Sequence, residues 1–394
     1  MRSATLRLGA AFLLFTAMSF AQNSRPTLRA YSIVKPAPNF SWDDANAIAL
    51  SPATTGLPIW TRTVNASKNS KNYSIVMVGR DPATSTVTTS VPTIIIPVIV
   101  KIATTVFNPT VADKVCMVTP NNVPLNVFKQ SPLFVGHSFT MDGVSEGTTQ
   151  YTDAFQRANF KTEIASSYHT KLGAITIKPA QTFTVPTTAG AVYSTASFGN
   201  GGCGPNHNPA GMFGVVDVNA VDNWVLTKAL PAAGATASQF PILLLYNVVM
   251  SNGAPIITNC CILGYHGATA GPPSGKTYSP MEFDQTGIFG TSVNDTSVAA
   301  HEIGEWMDDP YGANPTPAWG GIGQVSGCQG NLEVGDPLSG KMFPAVKMSN
   351  GFTYHLQELA FFSWFYGAPS IAVNRMFSDN GTFSTDAGPV CATK

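Results

Sequence analysis

Charge is scarce in this chain. Only 11 % of its 394 residues are charged, with 22 basic against 22 acidic, where an average soluble protein carries about 25 %. The even balance leaves no basic stripe for nucleic acid and no polybasic face for an anionic membrane. Long apolar runs are also missing beyond the N-terminus. A bilayer span needs about 20 apolar residues, and the run from Ile94 to Val100 is short and β-branched, so it reads as a buried strand. Histidine occurs six times. No cysteine spacing matches a zinc knuckle, and no internal repeat is visible. Low charge does not mean disorder here, because 44 % of the chain is hydrophobic.

The first residues, MRSATLRLGAAFLLFTAMSFAQ, place Arg2 and Arg7 before an apolar stretch that ends in Ser19-Phe20-Ala21. This pattern predicts a cleavable secretion signal over 1–21 and a working place outside the cytoplasm, extracellular or periplasmic. Removing the two arginines leaves 20 basic against 22 acidic residues. In an exported chain an even number of cysteines favours disulfides. Cys116, Cys203, Cys260, Cys261, Cys328 and Cys391 permit 15 pairings. Cys260 and Cys261 are neighbours and are expected to bond to different partners.

Residues 22–90 are polar and rich in Asn, Ser, Thr and Pro, and read as an N-terminal arm or extended hairpins laid over a core. Residues 91–394 read as one α+β domain. Strands are expected at 91–101, 173–185, 241–250, 260–264 and 278–283, with a terminal strand near 377–383. Helices are expected over 148–164 and 216–230, the second stopped by Pro231. Asp153 and Arg157 stand one turn apart on the first and are expected to pair. A third helix, at about 295–308, has Asp295 as N-cap and ends before Pro310.

That third helix carries the chemistry. Its sequence is Ala299-Ala300-His301-Glu302-Ile303-Gly304-Glu305-Trp306-Met307-Asp308-Asp309-Pro310. Residues four apart lie on one helix face, so His301 and Glu305 can share a cation. Zinc takes N and O ligands at about 2.0–2.2 Å. Glu302 stands beside them, where a general base for a water activated by the ion belongs. A catalytic zinc takes three protein ligands. Glu333 or Asp336, in Gly327-Cys328-Gln329-Gly330-Asn331-Leu332-Glu333-Val334-Gly335-Asp336-Pro337, can supply the third. Asp308 is a further candidate. His266, in Gly264-Tyr265-His266-Gly267, can line a cleft or bind the metal, and Tyr265 or His266 can stabilise an oxyanion. An oxygen-rich set also suits Ca²⁺ or Mn²⁺.

This helix resembles the H-E-x-x-H helix of zincin metallopeptidases, with Glu305 in place of the second histidine. HEIGEWMDDP followed by NLEVGDP also resembles the phosphate-induced (EXORDIUM-like) secreted proteins. There the likeness falls on His301, Glu302, Glu305, Asp309 and Pro310, then on Glu333 and Asp336 beside Cys328. The resemblance spans about 260–340. It implies a zincin-like mixed sheet with the helix packed beneath it, an extracellular place and, by analogy with zincins, a peptide or protein substrate. The rival expectation is a non-catalytic extracellular binding protein with a closed, structural metal site.

Three other signals are set aside. Gly143-Val144-Ser145-Glu146-Gly147 has the string of a nucleophile elbow, but Asp142-Gly143 reads better as a hairpin turn. Gly199 to Gly204 has the string of a dinucleotide loop, but Pro205 stands where its helix should open. The aromatic run from Tyr354 to Phe365 reads as core, with His355 bonded inside it and His207 left at the surface.

Overall fold

The computed structural model describes residues 28–50, 56–117, 122–199, 203, 211–385, 387, 388 and 391. The proposed signal at 1–21 and His207 lie outside these residues. The protein is α+β, built on an 11-stranded mixed sheet with helices on its faces.

The β-branched run predicted at 91–101 forms a longer strand, Thr88–Ile102. It pairs in parallel with Phe240–Tyr246, with His169–Ile177 and, further along, with Gln181–Thr184. Phe240–Tyr246 pairs in parallel with Thr277–Phe283, which pairs antiparallel with Cys260–Ala268. Side chains alternate across the sheet and fill two cores. Phe240, Ile242 and Leu244 enter one; Leu243 and Leu245 enter the other.

The polar N-terminal stretch is knit into this framework. Tyr31–Lys35 pairs in parallel with Cys260–Ala268. Ile59–Ala66 and Lys71–Val78 form a hairpin whose Ile75, Val76, Met77 and Val78 are core residues. Where Tyr31 faces Ile262 and Ile33 faces Tyr265, the 260–268 strand holds one extra residue. This bulge shifts the alternation within the strand. Leu263 borders a pocket on the first face, Gly264 faces Glu302, Tyr265 enters the second core and His266 returns to the first face.

Several expectations are corrected. The helix predicted at 148–164 is Tyr151–Asn159, because the hairpin of His137–Met141 and Val144–Thr149 claims the residues before it. Asp153 and Arg157 do not pair. Both are buried, and each takes a fuller set of partners than a helix-face pair offers. Asp153 accepts from Thr149 Oγ1 and Thr170 N and faces His169 Nδ1 at 2.6 Å. Arg157 faces Glu146 at 3.6 Å and donates to Ser166 O and Tyr168 O. The helix at Val218–Trp224 widens into a π turn over Val225–Ala229 and runs through Pro231 to Ala232. At 377–383 only an isolated bridge, Ala360 to Ser378, is present. Cys260 pairs with Cys261 after all, because Cys116 takes Cys203 and Cys328 takes Cys391. Asp142 and Gly143 have φ of 44° and 76°, the two left-handed residues of a type I′ turn, so Ser145 sits on a hairpin strand and not on an elbow. Among the described residues no helix is long and apolar enough to cross a membrane.

Candidate metal centre

The helix predicted at 295–308 is Ser297–Asp308, and every residue of it is buried. It packs against Cys260–Ala268, Thr277–Phe283 and Thr353–Gln357. Its N-cap is Thr296, one residue after the expected Asp295. Asp295 adopts φ 27° and accepts instead from Thr296 N and His355 N. Trp306 fixes the middle: its ring stacks on Phe240 at 3.7 Å and its Nε1 donates to Thr277 Oγ1 at 3.0 Å. Asn314 fixes the end, donating to Asp308 O and Val76 O while accepting from Val76 N at 2.8 Å. The polar N-terminal stretch thus holds the helix that carries the centre.

On that helix His301 Nε2 lies 2.9 Å from Glu305 Oε1. The contact lacks hydrogen-bond geometry, and Nε2 has no hydrogen-bond partner. The other ring nitrogen, Nδ1, faces Gln357 Oε1 at 3.1 Å. Gln357 Nε2 donates to Gly335 O at 2.7 Å, and Gly335 N donates to Glu305 Oε1 at 3.2 Å. Gly335 lies so close to the imidazole that a Cβ there would stand 2.4 Å from Nδ1. From the sheet, His266 Nδ1 reaches within 3.6 Å of Glu302 Oε2 and 3.7 Å of Glu305 Oε2. Asp336 Oδ1 lies 3.5 Å from His301 Nε2.

Two groups of three potential ligands result, each with its ligand atoms within 4.8 Å of one another: His301, Glu302 and Glu305, and His266, Glu305 and Glu333. Amides support the outer carboxylates. Asn331 Nδ2 donates to Glu333 Oε1 at 2.7 Å, and Gln329 and Gln324 donate to Asp336.

No family model, curated protein or solved structure matches this chain. The reading of the centre therefore stands on its own geometry and on the motif.

The electrostatics are severe. Both nitrogens of His266 and both carboxylate oxygens of Glu302 are buried without a hydrogen-bond partner. An unpaired buried charge costs several kcal/mol, so such groups stay neutral or take a counter-ion. Burial pushes Glu302 up to about 8, against the pull of His301. It raises Glu305, and it raises Glu333 well above the usual range with help from Glu305 and Asp336. Burial lowers His266. For His301 burial also works against the charged ring, but Glu305 and Asp336 outweigh it and the net shift is strongly upward. A cation would reverse this pattern by favouring neutral imidazoles and ionised carboxylates.

The structure brings together His301, Glu302, Glu305, His266, Glu333 and Asp336. It does not bring Tyr265, which points through the sheet and donates to Asp222 Oδ1 at 3.0 Å. Asp308 is held away by Gln156, which donates to its Oδ1. His355 is half-buried and pairs with Asp295 at 2.6 Å. The supporting residues Gln357, Gln329, Gln324 and Asn331 carry no local signal in the sequence. Only the nearness of Gln329 and Asn331 to Glu333 hinted at two of them. A cavity of about 250 Å³, bordered by Tyr31, Ser32, Gln329, Glu333 and Asp336, opens on the outer carboxylates.

Proposed function

We propose that this chain is an exported, metal-dependent hydrolase of zincin-like type, with peptides as its substrate class. The observation that carries the reading is the pairing of His301 Nε2 with Glu305 Oε1 at 2.9 Å, outside hydrogen-bond geometry, beside a buried Glu302 that has no partner. Two ligand atoms set side by side, with a basic carboxylate next to them, suit a cation and the water it activates. The N and O donors fit Zn²⁺, and the share of oxygen also admits Mn²⁺. Export is supported by the pattern of residues 1–21 and by three cysteine pairs at disulfide distance.

The fit lies in the chain's own groups. His301, Glu305 and Asp336 would hold the ion, and Gln357 orients His301 through Nδ1, as partners of ligating histidines do. When bound, the ion polarises a carbonyl and lowers the pKa of a water. Glu302 takes the proton of the attacking water and passes it to the leaving amine. Its burial keeps it a strong enough base for that role. His266, kept neutral by burial, faces Glu302 and Glu305 from the sheet. A second reading, a closed structural site, is favoured by the number of protein donors, since a fully ligated ion has no open position.

Elemental analysis of the purified protein tests the first step. The expected result is bound zinc in the wild type, lost or strongly reduced in His301→Ala. Glu302→Gln should keep the metal and lose peptide hydrolysis by about 10²–10⁴-fold. Metal without hydrolysis of any peptide in a mixed library would favour the structural site. No metal in either protein after zinc is offered would overturn both readings.

A further inference from the structure

We propose that the centre takes two divalent cations bridged by the carboxylate of Glu305. The proposal rests on the metal-dependent reading above and extends it.

The two oxygens of Glu305 face different imidazoles. Oε1 lies 2.9 Å from His301 Nε2, and Oε2 lies 3.7 Å from His266 Nδ1. A carboxylate serving one ion bidentately turns both oxygens to the same point. Here they serve two points, each with its own imidazole and its own outer carboxylate. Asp336 Oδ1 stands 3.5 Å from His301 Nε2. Glu333 completes a compact group with His266 and Glu305. One ion would sit among His301, Glu305 Oε1 and Asp336, the other among His266, Glu305 Oε2 and Glu333. This assignment uses both acids of the 333–336 loop, where the sequence offered them as alternatives.

Two further observations agree. With a single ion at His301, His266 keeps both ring nitrogens buried and unpartnered. A metal is a partner that the facing carboxylates, Glu302 and Glu305, can share with a neutral imidazole. Finally, Glu302 lies against Gly264, where a Cβ would stand 2.7 Å from its Oε1, and His266 Nδ1 lies 3.6 Å from its Oε2. The general base therefore stands between the two sets of ligands. In two-metal hydrolytic sites the ions lie roughly 3.5–4 Å apart and clamp the attacking and leaving oxygens of the reaction.

The test is stoichiometry, and it needs no activity. The full-length exported protein is stripped with chelator, equilibrated with Mn²⁺, freed of excess ion and analysed for metal per chain. The same sample gives an electron paramagnetic resonance spectrum, in which two bridged Mn²⁺ ions show exchange coupling and a lone ion does not. Two ions per chain with a coupled spectrum are expected. His266→Ala and Glu333→Gln should each fall to one uncoupled ion, and each variant's circular dichroism should match the wild type. One uncoupled ion in the wild type, retained in His266→Ala, would overturn the two-ion proposal and leave the single-ion reading intact. No bound ion would overturn both. The wild-type measurement decides the matter even where a variant fails to fold.

Discussion

The two faces of the central sheet surround acids in opposite ways. On the second face Asp222 is surrounded by donors. Tyr265 and Tyr278 both donate to its Oδ1, at 3.0 and 2.7 Å, and Lys35 lies 3.8 Å from Oδ2. On the first face Glu302 has no donor in hydrogen-bond geometry, and it is fully buried where Asp222 is only partly so. Neighbours on one strand, Tyr265 and His266, serve these two opposite arrangements. A half-buried acid with its donors in place is part of the architecture. A fully buried acid without donors, ringed by imidazoles and other carboxylates, has no counter-charge that the architecture supplies. Glu282 sharpens the distinction. It too is buried and unpartnered, and burial raises its pKa well above the usual range, but no imidazole joins it in a ligand group. Burial and the nearby Asp284 both favour its neutral form.

Substitutions can break this comparison. The largest effect is expected at Trp306, which belongs to the first face as structure and not as chemistry. Trp306→Ala removes the stack on Phe240 and the bond to Thr277, and should cost about 3–5 kcal/mol in denaturant unfolding. Next comes Asp222→Asn. It should cost about 1–3 kcal/mol while leaving metal content unchanged, because a neutral amide loses the ion pair with Lys35 and accepts the two tyrosine hydroxyls more weakly than the carboxylate does. Glu302→Gln should alter the stability of the metal-free protein by less than about 1 kcal/mol, since its carboxylate oxygens accept no hydrogen bond. A large loss there would show that Glu302 is as architectural as Asp222. Gly335→Ala should weaken metal binding about 10–100-fold, measured by competition with a chelator, because the new Cβ meets the His301 ring. The smallest effect is at His355. Its hydrogen bond to Asp295 raises its pKa, against the effect of burial. The stabilisation is complete below the ordinary histidine value and fades as pH rises through the raised one. The ring is more than a third exposed, so His355→Ala should flatten the stability profile between about pH 6 and 8 by a fraction of a kcal/mol.

How much of this was legible follows from where each interaction lives. His301, Glu302 and Glu305 were readable because helix geometry fixes their relation within five residues. The long apolar strand and the hairpin at Asp142-Gly143 were readable for the same reason: their signals are local. His266 and Tyr265 could not be told apart as site residues. Alternation says they face opposite ways, but which way depends on a bulge seen only against the strand from residue 31. Gln357 and Gln324 were invisible, since each works through partners brought from distant parts of the chain. Asp153 and Arg157 misled because the helix rule assumes a solvated face, and both side chains are buried among other partners.

The strand Tyr31–Lys35 lies against the strand that carries His266, and Gln324 ties it to the outer wall of the centre. Gln324 accepts from Ser32 N at 2.8 Å, donates to Ser32 O at 2.9 Å and donates to Asp336. Among the earliest described residues to leave the ribosome, this strand finds its partner only after some 230 more have followed, and its clasp only after nearly 300. Contacts so remote in sequence form slowly, because the entropy of closing the intervening loop is lost before anything is gained. The wall beside the centre is therefore a late product of folding. The cluster around Asp336 is finished only when the segment at Ser32 has met the one at Gln324.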